Sequence, residues 1–257
     1  MPNSCSWRLL LWCEHTAGEA IMLQYVSDLP FSTPRPVSRR SDEPQQHSLD
    51  AQIGRAPMRS VEAKEHIFTE GDQRSHLYRV ETGAICLYKV LPDGRRQVLG
   101  FAYPGDMVGL GPLGEHQFNA QATKPSRLRS LPWSTVQQVA RHDPGLGIKL
   151  YEMISQELAA AHDLLLTTGQ RTAVERVAAF LLAMSRRSER QGGHAAFVDL
   201  PMTRSDIGDF LGLTIETVSR TFTKLRQQGV IDLAQSTRVH ILDIQSLGRL
   251  AESGGDR

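Results

Sequence analysis

The chain has 257 residues, 40% of them hydrophobic and 22% charged, and 29 Lys plus Arg against 28 Asp plus Glu leave a formal charge of +1. That length can bury two ordinary cores, and the composition excludes both a largely disordered chain and a histone-like polycation. No apolar run reaches the ~18 residues of a membrane span.

The first 60 residues read as a loosely ordered leader. Between Asp28 and Ser60 five prolines (Pro30, Pro34, Pro36, Pro44, Pro57) and many Ser and Arg residues break any apolar period. Trp7–Cys13 has no basic segment before Arg8 and is followed by Glu14 and His15, which makes it a poor secretion signal. Met22 is an alternative start, testable by intact mass. Cys5, Cys13 and Cys86 form an odd set with no tight pair, which fits a reducing cytoplasm rather than a disulfide framework.

Residues 61–142 change texture. Glycines at 71, 83, 94 and 105 punctuate short strand-like runs such as Leu77–Val80, Ala84–Val90 and Gln97–Phe101. Pro92-Asp93-Gly94 is a turn in which proline presets φ and glycine accepts a positive φ. Many short strands at this spacing predict a small antiparallel β-roll. Residues 143–169 then predict a long helix. Tyr151, Ile154, Leu158, Ala161, Leu165 and Thr168 recur in steps of three and four, a narrow stripe better suited to a partner helix in a parallel dimer than to the chain's own roll. A helix lying on the roll is the competing reading.

Residues 170–243 predict a winged helix-turn-helix, and 244–257 a tail. An apolar helical pattern (Val174, Val177, Ala178, Leu181, Leu182) ends at Gln191-Gly192-Gly193 and leads to a strand at Ala196–Leu200. Two helices follow, and Val230–Leu233 with Arg238–Leu242 read as a closing hairpin. Thr203 caps the first helix with Asp206 at its third position, Gly212 supplies the sharp turn, Thr214 caps the second helix and Gly229 ends it. Ile207, Phe210 and Leu211 of the first helix and Ile215, Val218, Phe222 and Leu225 of the second are expected to face the core. Glu216, Ser219, Arg220 and Thr223 project from the opposite face. In a major groove, Arg220 can donate to guanine O6 and N7, Glu216 can accept from a cytosine amine, and Ser219 can meet either base type. An ordinary i, i+4 surface pair between Glu216 and Arg220 is the alternative. The capped helix before it, the tight turn and the ribbon after it favour DNA reading. The neutral total charge does not oppose this. Residues 171–240 hold ten Lys or Arg against seven Asp or Glu, a local excess of 10 − 7 = +3 that a dimer doubles.

Met202–Thr221 closely resembles the helix-turn-helix signature of the Crp/Fnr family. The resemblance runs back to about residue 60 through Ile67-Phe68-Thr69-Glu70-Gly71-Asp72, Leu91-Pro92-Asp93-Gly94-Arg95-Arg96 and Tyr103-Pro104-Gly105-Asp106. It implies an α+β architecture: a cyclic-nucleotide-binding-like β-roll, a dimerisation helix and a C-terminal winged helix. It also implies a homodimer that controls transcription through RNA polymerase, and it matches Glu216, Ser219 and Arg220 to residues that read a TTGAT-type half-site in the Fnr branch. Cyclic-nucleotide sensors of the family hold the phosphate with an Arg-Ser pair after a glycine-glutamate segment. Here the corresponding Gly109–Ala120 has no arginine beside a serine. The oxygen-sensing branch uses four cysteines, whereas this chain has three at other spacings; Cys86 reads as a half-buried strand residue, with a regulatory thiol as the alternative. A reading head of this type with neither sensor resembles the FixK group, whose members activate microaerobic respiration and nitrogen-fixation genes and are controlled by their own synthesis. No cofactor or metal is expected, and no catalytic residue. His66, His76 and His116 lack the His-x-His pair and acidic partner of a barrel metal site. A regulator gated by an unidentified small effector is the rival reading.

Overall fold

The structure, a computed structural model, describes residues 48–111, 114–235 and 237–252. The expectations about Trp7–Cys13, Met22, Cys5 and Cys13 lie outside them. In chain order the elements are α1 (Leu49–Arg55), β1 (Met58–Val61), β2 (His66–Phe68), β3 (His76–Thr82), β4 (Ile85–Val90), β5 (Arg96–Ala102), β6 (Met107–Val108), β7 (Asn119–Ala122) and β8 (Ser126–Pro132). Then come α2 (Trp133–His142), α3 (Pro144–Gln170), α4 (Ala173–Arg190), β9 (Phe197–Asp199), α5 (Arg204–Leu211), α6 (Ile215–Gln227), β10 (Ile231–Gln235), β11 (Arg238–Ile241) and α7 (Ile244–Glu252).

Two antiparallel four-stranded sheets, ordered β1-β8-β3-β6 and β2-β7-β4-β5, make the roll. Alternating side chains of these strands, among them Phe68, Val80, Ile85, Ala120 and Leu128, fill the space between them. Gly71, Gly83, Gly94 and Gly105 all hold positive φ, between 82° and 97°, at the turns they punctuate. A second core joins Leu49 and Ile53 of α1 to Leu77, Leu131, Val136, Val139 and Leu146. The third and largest core is built mainly by α4–α7 and the three-stranded sheet β10-β11-β9, and it takes in Ala84 and Tyr103 of the roll.

Four stretches depart from the sequence reading, the first being residues 133–142, which are expected in the roll but form α2. Residues 49–61 were expected in or next to a leader, yet α1 is capped by Ser48 and buried through Leu49 and Ile53, and β1 pairs along β8. A two-turn helix with only two core contacts leaves too short a period to stand out among the prolines. Residues 244–252 were expected as tail but form α7, which buries Leu247 and Ala251. The ribbon gains a third strand, because β9 pairs with β11 through Val198 and Val239.

Helix α3 is long and little covered. Asp143 caps it, accepting from the Gly145 N–H at 2.9 Å, and Lys149 pairs with Asp50 near its start. Beyond Leu150 most of its large apolar side chains stay open: Tyr151 is 72% exposed, Leu165 68%, and Ile154 and Leu158 more than half. Ala161 is exposed between them.

Candidate nucleic-acid interface

The reading head is built from its caps inward. The Thr203 hydroxyl accepts from the Asp206 N–H at 3.1 Å, and the Asp206 carboxylate accepts from the Thr203 N–H at 2.9 Å. This reciprocal box ties two otherwise orphaned donors at the start of α5. Burial works against the Asp206 carboxylate, but hydrogen bonds from Arg96 and Thr203 outweigh it and hold its pKa below the ordinary value. Gly212 ends α5 in the left-handed conformation, φ 64° and ψ 41°, which a side chain at this position would strain. Thr214 then caps α6, its hydroxyl accepting from the Thr217 N–H at 3.2 Å.

Two residues outside this turn, Gly208 and Arg176, shape it in roles that the sequence reading does not assign. Gly208 lies where α5 meets the next turn, and a Cβ there would stand 2.6 Å from the Leu213 carbonyl. Arg176 reaches from α4 to donate to the Leu211 carbonyl at 2.9 Å and that of Gly212 at 3.4 Å. It fills acceptors that the end of α5 leaves open. Gly208 had a legible signal, a glycine inside a helix (a costly choice without a close approach). Arg176 had none, because its partner lies 35 residues on.

Helix α6 divides into two faces. Val218, Thr221, Phe222 and Leu225 are buried. Glu216, Ser219, Arg220 and Thr223 are exposed. Ile215 was expected in the core but is 46% exposed. It is the first residue of α6, so it overhangs the core that Val218 enters one turn later, and it lies beside Glu216, Ser219 and Arg220. The Glu216 carboxylate is held charged below its usual range by its own backbone N–H, by the Thr214 hydroxyl and, more weakly, by the field of Arg220. Arg204, first in α5, lays its guanidinium 3.5 Å from the Phe222 ring centre. Burial brings its pKa down to about 10, so it stays charged at neutral pH. A helix with acceptor, hydroxyl, guanidinium and a small apolar surface on one open face can meet base edges and a thymine methyl.

At the stretch matched to the cyclic-phosphate segment the described aromatic side chains turn into the roll. His116 stacks on Phe68 with ring centres 3.5 Å apart, and Phe118 packs against the same core. Burial lowers the His116 pKa, favouring the neutral ring. Among the described residues no group of three or more His, Cys, Asp or Glu is placed to hold a metal ion. Cys86 is fully buried rather than half-buried, and burial pushes its thiol up to about 12.

Comparison with known proteins agrees with this architecture. Residues 58–143 match the cyclic nucleotide-binding domain and residues 175–250 the Crp-like helix-turn-helix domain. Over 167 residues the chain is 44% identical to the nitrogen fixation regulation protein FixK of Bradyrhizobium diazoefficiens, covering 65% of this chain and 70% of the relative. The chain belongs to the Crp/Fnr family. Within it, the transcriptional activatory protein AadR of Rhodopseudomonas palustris is 39% identical over 188 residues, 73% of this chain and 78% of that one. The solved structure of FixK2 from Bradyrhizobium japonicum superposes with a TM-score of 0.72 at 39% identity, covering 76% of this chain and 96% of the other. This Crp/Fnr protein is therefore a transcriptional regulator of the FixK/Fnr type with a helix-turn-helix DNA-binding domain, and not an enzyme. No helix among the described residues is long and apolar enough to cross a membrane.

Proposed function

We propose that this regulator works in the cytoplasm as a homodimeric activator. It pairs along the α3 stripe of Tyr151, Ile154, Leu158, Ala161 and Leu165 and reads Fnr-type palindromes with TTGAT-like half-sites. Glu216, Ser219 and Arg220 make the base contacts, and Thr203, Gly212 and Thr214 hold the turn that presents them. The observation that carries this reading is the open polar face of α6 on a doubly capped, core-anchored helix pair. The exposed apolar length of α3 supports the dimer, since a run of uncovered Leu, Ile and Tyr side chains at helical spacing gains most from a second copy. Activation proceeds through RNA polymerase. Its targets are microaerobic respiration or nitrogen-fixation genes, and the relatives named nitrogen fixation regulation protein support the second. A gel shift tests the reading: the purified protein, with no additive, prefers a TTGAT–ATCAA palindrome over a scrambled duplex. Equal retention of both duplexes rejects it.

A second reading, gating by a small effector, is favoured by the match of residues 58–143 to the cyclic nucleotide-binding domain. DNA binding that appears only with an added nucleotide or other metabolite, with heat of binding in calorimetry, would select it over the effector-free form.

A further inference from the structure

The roll and the reading head meet through a charged contact. Arg96, the first residue of β5, lies with its guanidinium 4.2 Å from the Tyr88 ring centre and donates to the Cys86 sulfur at 3.2 Å. Its Nη1 reaches Asp206 at 2.5 Å and Asp209 at 3.5 Å, both on α5. The groups are largely shielded from water, with side-chain exposures of 27%, 14% and 30%. Beside them Gln97 donates to the Asp209 carbonyl at 2.8 Å, and Phe101 of β5 meets Phe210 of α5 edge to face at 5.6 Å. A second attachment sits on α4. Arg187 pairs with Asp106 at 2.6 Å over the Tyr103 ring, and Gln191 donates to the Pro104 carbonyl at 3.2 Å.

Two attachments on different helices fix an orientation, not merely a distance. In this arrangement the α6 reading face and the α3 stripe both remain exposed. The contact therefore hides neither surface that DNA reading requires. Asp206 is also the residue that closes the α5 cap with Thr203, so the same carboxylate joins the head's own frame to the roll. Cys86 and Tyr88 hold Arg96 ready on the roll side, and Tyr88 is itself tied to His66 by a 2.8 Å hydrogen bond.

We propose that Arg96 is a positioning residue for DNA reading: through Asp206 and Asp209 it sets the orientation of each helix-turn-helix on its roll, and so the separation at which two heads engage one duplex. This rests on the homodimer–palindrome reading above. Two heads must meet half-sites one helical turn apart, about 34–36 Å or a multiple. Freeing either head weakens binding to a correctly spaced palindrome while leaving each head's base preference alone. Charge-assisted hydrogen bonds of this kind correspond to about 10- to 100-fold in an equilibrium constant.

The test uses the full chain with Arg96→Gln, Arg96→Lys, Asp209→Asn and the Arg96→Gln/Asp209→Asn pair. Asp209 lies outside the Thr203–Asp206 cap, so its variant keeps the test open if Arg96→Gln fails to fold. Affinity is measured for palindromes whose spacer is native, shortened or lengthened by two base pairs, and for a native-spaced palindrome with one base changed in each half-site. The expected result is about tenfold weaker binding to the native spacer for Arg96→Gln and Asp209→Asn. The preference among spacers flattens, the penalty for the base change is unchanged, the double variant loses less than the sum, and Arg96→Lys recovers part. Wild-type affinity and spacer preference in both single variants, or losses that simply add, overturn the proposal. Scanning calorimetry reads the latch without DNA: roll and head unfold in one transition in the wild type and in two in Arg96→Gln. If the wild-type protein does not prefer the palindrome at all, the functional reading fails, and the calorimetric result alone decides whether the latch exists.

Discussion

Helices α3 and α6 each carry an exposed stripe, and the two stripes are chemically opposite. On α3 the stripe includes the open side chains Tyr151, Ile154, Leu158 and Leu165, whereas on α6 it includes Glu216, Ser219, Arg220 and Thr223. Water tolerates the second set and disfavours the first. An apolar stripe asks for a surface that excludes water, and a second α3 supplies one at the same spacing. A polar face with donors and acceptors at fixed helical angles asks for a partner that returns hydrogen bonds in a fixed pattern, as base edges do. Exposure alone therefore says little about function; the chemistry of what is exposed separates a protein partner from a nucleic acid.

The strongest way to break this contrast is to put charge on the apolar face. A double variant, Leu158→Asp with Leu165→Asp, places four carboxylates along the dimer. Fully burying one leucine is worth about 1.5–3 kcal/mol, so losing four converts the dimer to a monomer in sedimentation, with helical content by circular dichroism retained. A dimer that survives the change would show that α3 is not the seam. Next comes the polar face. Arg220→Ala removes a bidentate guanine contact from each head, about 1–3 kcal/mol apiece, or about 2–6 kcal/mol for the palindrome. Gel shifts should show preference for the site lost while the melting temperature is nearly unchanged. The buried side of the same helix gives the reverse pattern. Phe222→Ala opens the core of the head and costs about 3–5 kcal/mol of stability, seen as a lowered melting temperature, with binding lost only as the head unfolds. The smallest effect belongs to the cap: Thr214→Ala costs about 1 kcal/mol and Thr214→Ser restores most of it, measured by urea denaturation.

Much of this contrast was legible along the chain. Steps of three and four displayed the α3 stripe and both faces of α6, because helical geometry is local and repeats within a few residues. The caps were legible for the same reason, since Thr203 and Asp206 meet three residues apart. Period places Ile215 in the core because it cannot tell that a helix begins beyond the edge of its core. Helix α7 gives little sign in the sequence because its apolar face is covered only when α4 lies against it. The buried state of Cys86 and the stacking of His116 on Phe68 likewise follow from sheet packing, not from neighbours in sequence.

The sequence by itself determined the succession of β-roll, long helix and winged helix-turn-helix, the turn between α5 and α6, and which side chains of α6 could face a groove. Each of these follows from interactions that close within about one or two turns of chain. Only the tertiary structure decided that Arg96 meets Asp206 across 110 residues, that Arg176 holds the Gly212 turn, and that α1 and α7 are covered elements rather than ends. Those contacts depend on how separate elements pack, and a charged side chain gives no sign in sequence of the distant partner it will find.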